Sequence, residues 1–198
     1  MMIVGITGPT GAGKSIVCRL LKDWDRISVI DCDKVARQVV RRGERCLLDL
    51  AVEFSSAIID QDGELNRKKL ASIVFRDKRK LRRMEEIIYP YILERLDRQL
   101  ARREKRGDRA VFLDAPTLYQ SGADALCRKV VAVLAPPEDR LRRIMKRDRL
   151  TEEEAKARMA SQPGDDFFLG KADHIIYNPG RMPTLRLDVL ELQNKLGL

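Results

Sequence analysis

The sequence predicts an α/β fold: a parallel sheet of about five strands flanked by helices, with a helical lobe inserted between strands. Two observations predict it. Short apolar runs rich in β-branched residues recur along the chain, alternating with stretches of helical spacing. One long stretch, 34–107, breaks that alternation: it is mostly helical and strongly basic, with no strand signal.

MIVGIT (2–7) reads as a buried strand, and SIVCRLLKDW (15–24), apolar at 16, 17, 20, 21 and 24, as the helix after it. SVID (28–31) is a second strand. Within the inserted lobe, Leu81, Met84, Ile88, Ile92, Leu96 and Leu100 step by three or four and give one apolar face. Pro90 interrupts that run and either kinks a helix or separates two. RAVFLDAP (109–116) and KVVAVLAPP (129–137) are two more strands, and EDRLRRIMKRD (138–148) is helical. TEEEAKARMASQ (151–162) is a helix opened by a capping box, Thr151 with Glu154. PGDDFFLGK (163–171) reads as a loop, DHIIYN (173–178) as the last strand and MPTLRLDVLELQNKL (182–196) as the closing helix.

Composition narrows the function classes. The chain has 198 residues, 44% hydrophobic and 35% charged, enough for one well-buried core under a charged surface. The longest apolar run, Val130 to Ala135, falls far short of the ~20 residues that span a bilayer. MMIVGITG lacks a basic stretch before its glycines, so neither signal peptide nor membrane anchor is expected, and the cytoplasm is the expected location. Cys18, Cys32, Cys46 and Cys127 form no C-x-x-C pair, and His174 is the single histidine. That spacing argues against a zinc site, a disulfide framework and Ser–His or Cys–His chemistry. The net charge of +9 favours a polyanionic partner without choosing among nucleic acid, acidic lipid and phosphorylated small molecules.

GPTGAGKS (8–15) points to a nucleotide phosphate. Gly8-x-x-x-x-Gly13-Lys14-Ser15 is a full P-loop pattern lying between a predicted strand and a predicted helix, as its mechanism requires. Glycines at 8, 11 and 13 let the backbone curl around a phosphate. The helix opening at Ser15 adds its N-terminal positive end, Lys14 reaches the β and γ phosphates, and the Ser15 hydroxyl is placed for Mg²⁺. The fold expected is thus P-loop kinase-like, with ATP and Mg²⁺ as cofactors.

In such a sheet, ligands sit at the carboxyl ends of the strands. Asp31 and Asp33 follow the second strand, and Asp114 ends the third. Phosphoryl transfer to a hydroxyl needs an acceptor for its proton, and Asp33 is the candidate; the competing reading of Asp31 or Asp33 is a helix N-cap. Asp114 is the candidate to hold Mg²⁺ through water, against a plain strand-end turn acid. Arg140, Arg143 and Arg147 share one helix face, either as stabilisers of a transferring phosphate or as a solvated basic surface.

Further segments resemble the dephospho-CoA kinase family nearly end to end. VIDCDKVARQVVRRG (29–43) resembles its VIDAD-x-x-ARxxV hallmark, and ELNRKKLASIVF (64–75) its LxRxxL–xxxVF stretch. LDAPTLYQSG (113–122) lies where the family has PLLFE. RLRRIMKRDRLTEEEAKARMASQ (140–162), Ala172-Asp173 and Asn178 follow its lid and closing-strand spacing. The resemblance implies transfer of the ATP γ-phosphate to the 3′-hydroxyl of dephospho-CoA, with Asp33, Lys14 and Arg143 catalytic. Nucleotide contacts are implied for Gly8, Gly11, Ala12, Gly13, Lys14, Ser15, Ile16, Arg147 and Asn178, and metal contacts for Ser15 and Asp114. It divides the chain into a nucleotide core (1–33, 108–147 and 172–198), a CoA-substrate lobe (34–107) and a lid (148–171), with no nucleic-acid or membrane partner. The alternatives are another small-molecule or nucleoside monophosphate kinase, or a nucleic-acid-binding P-loop NTPase. Four departures stand out: Ile16 for the threonine of GKST, Tyr89-Pro90 for His-Pro, PTLYQ ending in Gln120 for PLLFE, and DDFF (165–168) where a basic residue is usual.

Overall fold

The computed structural model describes residues 1–198. Five strands form one sheet in the order β2-β3-β1-β4-β5: β1 Met2–Thr7, β2 Ile27–Asp31, β3 Ala110–Asp114, β4 Lys129–Leu134 and β5 His174–Tyr177. The pairings of β1 with β3 and β4, and of β4 with β5, are parallel, and Ile6 lies opposite both Asp114 and Val131. The three inner strands are continuous buried runs, as strands covered on both faces must be, whereas β2 and β5 at the edges alternate. Between β3 and β4 the chain crosses β1, so the segment after β1 sits at the switch in strand order where α/β sheets bind ligands.

Contacts divide the chain into two compact units, residues 1–30 with 103–198, and residues 31–102. The first holds the sheet together with α1 (Lys14–Leu21), α6 (Pro137–Asp148), α7 (Glu152–Ala160), α8 (Asp165–Leu169) and α9 (Met182–Leu196). Val17 and Leu21 of α1, and Leu185, Val189 and Leu192 of α9, bury against Ile6, Phe112 and Val133. Burying each such side chain contributes roughly 1.5–3 kcal/mol. Trp24 meets the edge of Phe112 at 6.1 Å between ring centres. At the start of β2, Ser28 donates to the buried Asp108 carboxylate at 2.6 Å, and Arg106 grips the same group with two bonds of 2.8 and 2.9 Å.

The second unit contains α2 (Cys32–Gln38), α3 (Arg45–Phe54), α4 (Arg67–Val74) and most of α5 (Lys78–Lys105). It has no strand, only a single antiparallel bridge between Ile59 and Leu65. Asn66 caps α4 by accepting from Lys69 N, and Arg95 pairs with Glu44 at 2.7 Å. Helix α5 runs through Pro90 as one element of 28 residues and does not divide there. An internal proline costs about 3 kcal/mol. Here its ring is exposed, and Ile92, Leu96 and Leu100 bury the face beyond it.

One local expectation is revised and another is met. Residues 163–171 are not all loop, because DDFFL forms α8. Two acids in its first turn suit the helix dipole, and Phe168 anchors it against Ala132 and Leu134. The capping box at Thr151 is present in both directions. No helix is long and apolar enough to cross a membrane.

Candidate active site

β1 ends at Thr7, and the chain turns through GPTGAG into α1. Gly13 is the N-cap residue, with φ 99°, a conformation that favours glycine. No side chain caps this helix and no acid occupies its first turn, so its N-terminal amides and dipole present positive charge at the mouth of the loop. The glycines are also required by the protein behind them. A Cβ would lie 2.2 Å from Val133 O at Gly8, 2.8 Å from Arg140 O at Gly11 and 2.2 Å from Asn178 Nδ2 at Gly13. The loop is thus seated directly on β4, α6 and the segment after β5. Lys14 folds its ammonium across the loop, donating to Gly8 O at 2.6 Å and Pro9 O at 3.3 Å. Ser15 is exposed, one residue into α1.

Of the three arginines singled out on α6, Arg140 is buried and Arg143 half-buried against the loop, whereas Arg147 is exposed. Arg140 is 5% exposed, donates to Thr10 O at 3.1 Å and pairs with Asp165 of α8 at 3.0 Å. Burial pushes its guanidinium pKa down and Asp165 opposes that shift. Arg143 spans Gly11 O (3.1 Å), Ala12 O (3.3 Å) and Asn178 O (3.3 Å). Arg147 reaches Thr10 Oγ1 at 3.4 Å and is held by Asp148 through two bonds of 2.8 Å. Asp148 raises the Arg147 pKa and is itself held low by Arg147 and Arg158.

Three of the residues expected to touch nucleotide also support the loop from within the protein. Asn178 is buried, its Nδ2 donating to Ala12 O at 2.8 Å and its Oδ1 accepting from Gly180 N at 3.1 Å. Both ends of the amide are taken by the protein, so it props the loop. The Ile16 side chain packs against the core and its amide donates to Gly13 O at 2.9 Å, so it completes the helix start. Ala12, fully buried, belongs to the same support.

Asp114 ends β3 beside α1, where its carboxylate hydrogen-bonds the buried Cys18 thiol. Burial first, and Asp114 second, raise the thiol pKa, while Lys14 opposes the rise. The strand-end acid and the P-loop lysine therefore act on one atom of the first turns of α1. In the 31–102 unit, Asp31 is the N-cap of α2, with its side chain accepting from Lys34 N at 2.9 Å. The capping alternative is thus met by Asp31. Asp33 lies exposed in the first turn of the same helix.

Sequence reasoning missed three contributors: Thr10, Gln162 and Asp148. Thr10 occupies an unspecified position of the P-loop pattern, and no spacing rule links it to residues 137 and 152 positions away. Two departures from the family pattern turn out to be neighbours. Tyr119 of PTLYQ meets Phe167 of DDFF edge-on at 5.5 Å, with the Lys171 ammonium 5.1 and 4.7 Å from the two ring centres.

A family model described as dephospho-CoA kinase matches residues 2–184. The chain belongs to the dephospho-CoA kinase family. A dephospho-CoA kinase from Bacillus cereus is 36% identical over 197 residues, covering 100% of this chain and 98% of its own. A solved Thermus thermophilus structure is similar with a TM-score of 0.84 and 31% identity, covering 98% of this chain and 97% of its own. A solved dephospho-CoA kinase from Campylobacter jejuni has a TM-score of 0.72 and 28% identity, covering 98% and 96%. Membership in the dephospho-CoA kinase family makes the chain an ATP-dependent phosphotransferase, consistent with its uncapped phosphate loop at the sheet's switch point.

Proposed function

We propose that this enzyme moves the γ-phosphate of ATP to the 3′-hydroxyl of dephospho-CoA, with Asp33 accepting the hydroxyl proton. The phosphate loop carries the reading: a rigidly seated, uncapped helix N-terminus in a chain whose family match covers residues 2–184. Backbone amides of the loop and the Lys14 ammonium hold the β and γ phosphates. Arg143 and Arg147 supply positive charge where the transferring phosphoryl group passes. The residues at hand fit a hard divalent cation, because Ser15 offers a hydroxyl and Asp114 a carboxylate beside the same helix. Mg²⁺ held by Ser15 and, through water, Asp114 would neutralise charge on the phosphates.

A hydroxyl proton lost late in the transition state can pass to a carboxylate, the part proposed for Asp33. The helical lobe 34–107 takes the acceptor, and the 148–171 segment closes over the nucleotide to exclude water and suppress ATP hydrolysis. The test supplies Mg·ATP with dephospho-CoA, AMP, CMP or pantothenate and follows ADP together with the phosphorylated product. Turnover with dephospho-CoA alone is expected. Equal or faster turnover with a nucleoside monophosphate overturns the acceptor assignment.

A further inference from the structure

All three polar groups of Thr10 are engaged by residues far along the chain. Its amide donates to Gln162 Oε1 at 2.7 Å, its carbonyl accepts from Arg140 at 3.1 Å, and its hydroxyl accepts from Arg147 at 3.4 Å. Gln162 lies just past the end of α7, and the two arginines lie on α6. Asp148 fastens the same corner, because it binds Arg147 of its own helix and Arg158 of α7 together. Asp148 is also the last residue of α6, where the helix dipole disfavours an acid. Its two arginine partners offset that placement.

From this we infer that Thr10 and Gln162 are positioning residues, the joint by which the α6–α7 segment docks on the phosphate loop. The Thr10 amide is reserved for Gln162 and the Ala12 amide turns inward to Pro9 O at 3.3 Å, so phosphate is left to the other loop amides from Gly11 onward. Thr10 is the loop residue with a hydroxyl ahead of the glycine curl, and Gln162 is the first residue after α7 long enough to return to it. The 2.7 Å bond is the shortest of the three and the only one from beyond α7. It therefore sets where the end of that helix rests. This role rests on the kinase reading above: a segment docked there shields the γ-phosphate from water, so undocking it lets hydrolysis compete with transfer.

The test uses Gln162→Met, which keeps length without an acceptor, and Gln162→Glu, which keeps the acceptor. Hydrogen exchange at the Thr10 amide, read by NMR on the full chain without nucleotide, is expected to speed up about fivefold to tenfold in the Met variant. That is what losing one net hydrogen bond allows. The Glu variant keeps the amide protected, and exchange in β5 and α9 stays as in the parent in both. With ATP and dephospho-CoA, the Met variant is expected to lose about tenfold in kcat and to release more ADP than phosphorylated product. Parent-like exchange at Thr10 in Gln162→Met overturns the inference. So does a lower KM for ATP at unchanged kcat, because Gln162 would then compete with nucleotide for the amide. The exchange experiment needs no acceptor, so it stands or falls separately from the identity of the substrate.

Discussion

Gly8→Ala separates the demand of the fold on the phosphate loop from the demand of the ligand. Gly8 has φ 133°, and a Cβ there would lie 2.2 Å from Val133 O, against the 3.0 Å that real Cβ contacts respect. The obstacle is main chain of β4, paired on one side with β1 and on the other with β5, so the strand cannot give way. The loop must instead retreat by close to 1 Å. Gly107 supplies the control: its φ is 86° and nothing lies within 4 Å of a Cβ built on it. Gly107→Ala carries only the left-handed backbone cost, on the order of 1–2 kcal/mol. Gly8→Ala carries that cost plus overpacking of about 1–3 kcal/mol, so roughly 2–5 kcal/mol in all. Urea unfolding with linear extrapolation reads both numbers. A retreat of about 1 Å at the phosphates also predicts kcat/KM for ATP lower by roughly 10²-fold in the folded Gly8→Ala enzyme, and no such loss for Gly107→Ala. Equal destabilisation by the two substitutions would refute the claim that β4 dictates the glycine.

Asp33→Asn is expected to lower kcat by about 10²-fold or more while leaving the unfolding midpoint in place, because positioned acid–base groups contribute that much. An unchanged kcat in steady-state assays would reduce Asp33 to a favourable charge at a helix start. Tyr119→Phe is expected to raise stability by about 1 kcal/mol in urea titrations, since the Tyr119 hydroxyl is buried without a hydrogen-bond partner. A loss of stability would show that the hydroxyl is satisfied in solution. Asp108 gives a pH dependence: Arg106 first, with Ser28 assisting, holds its pKa below the ordinary carboxylate value. Its contribution is present above about pH 4, the unfolded pKa, and is lost as pH falls through the lowered folded value. Asp108→Asn is therefore expected to flatten the acid limb of stability against pH, measured by thermal unfolding between pH 2 and pH 7 on the order of one-unit steps.

Much of the site was legible because its signals are local. A strand run, a glycine curl and a helix start within twenty residues define the phosphate loop, and the capping box at Thr151 and Glu154 needs only its own four residues. The helix 182–196 reads from periodicity alone because its apolar stripe faces a single layer. Illegible features depend on what the chain meets from afar. Asn178 follows a short edge strand, where no pattern says that its amide will cross to Ala12, 166 positions away. The arginines of α6 could be read as surface or as site. The placement of Arg140 and Arg143 is decided by Asp165, Thr10, Gly11 and Asn178, none of which belongs to the same helix.

The departures from the family pattern follow the same logic. Read singly, Tyr119 of PTLYQ and the DDFF stretch that contains Phe167 each look like a lost contact. Packed edge-on, they make one aromatic joint between the segment after β3 and α8, with Lys171 returning positive charge above both rings. Arg140 then connects that joint to the phosphate loop, since Asp165 of α8 and the Thr10 carbonyl share its guanidinium. A change at Phe167 should accordingly be felt at Thr10 through α8 and the two contacts of Arg140, without any substrate bound. Phe167→Ala is expected to weaken the Arg140–Asp165 pair and raise hydrogen exchange at the loop, whereas Leu169→Ala, on the exposed side of the same helix, is expected to do neither. If both variants left exchange at the loop unchanged, α8 would be an ornament of the surface, and the loop would owe its rigidity to β4 and Asn178 alone.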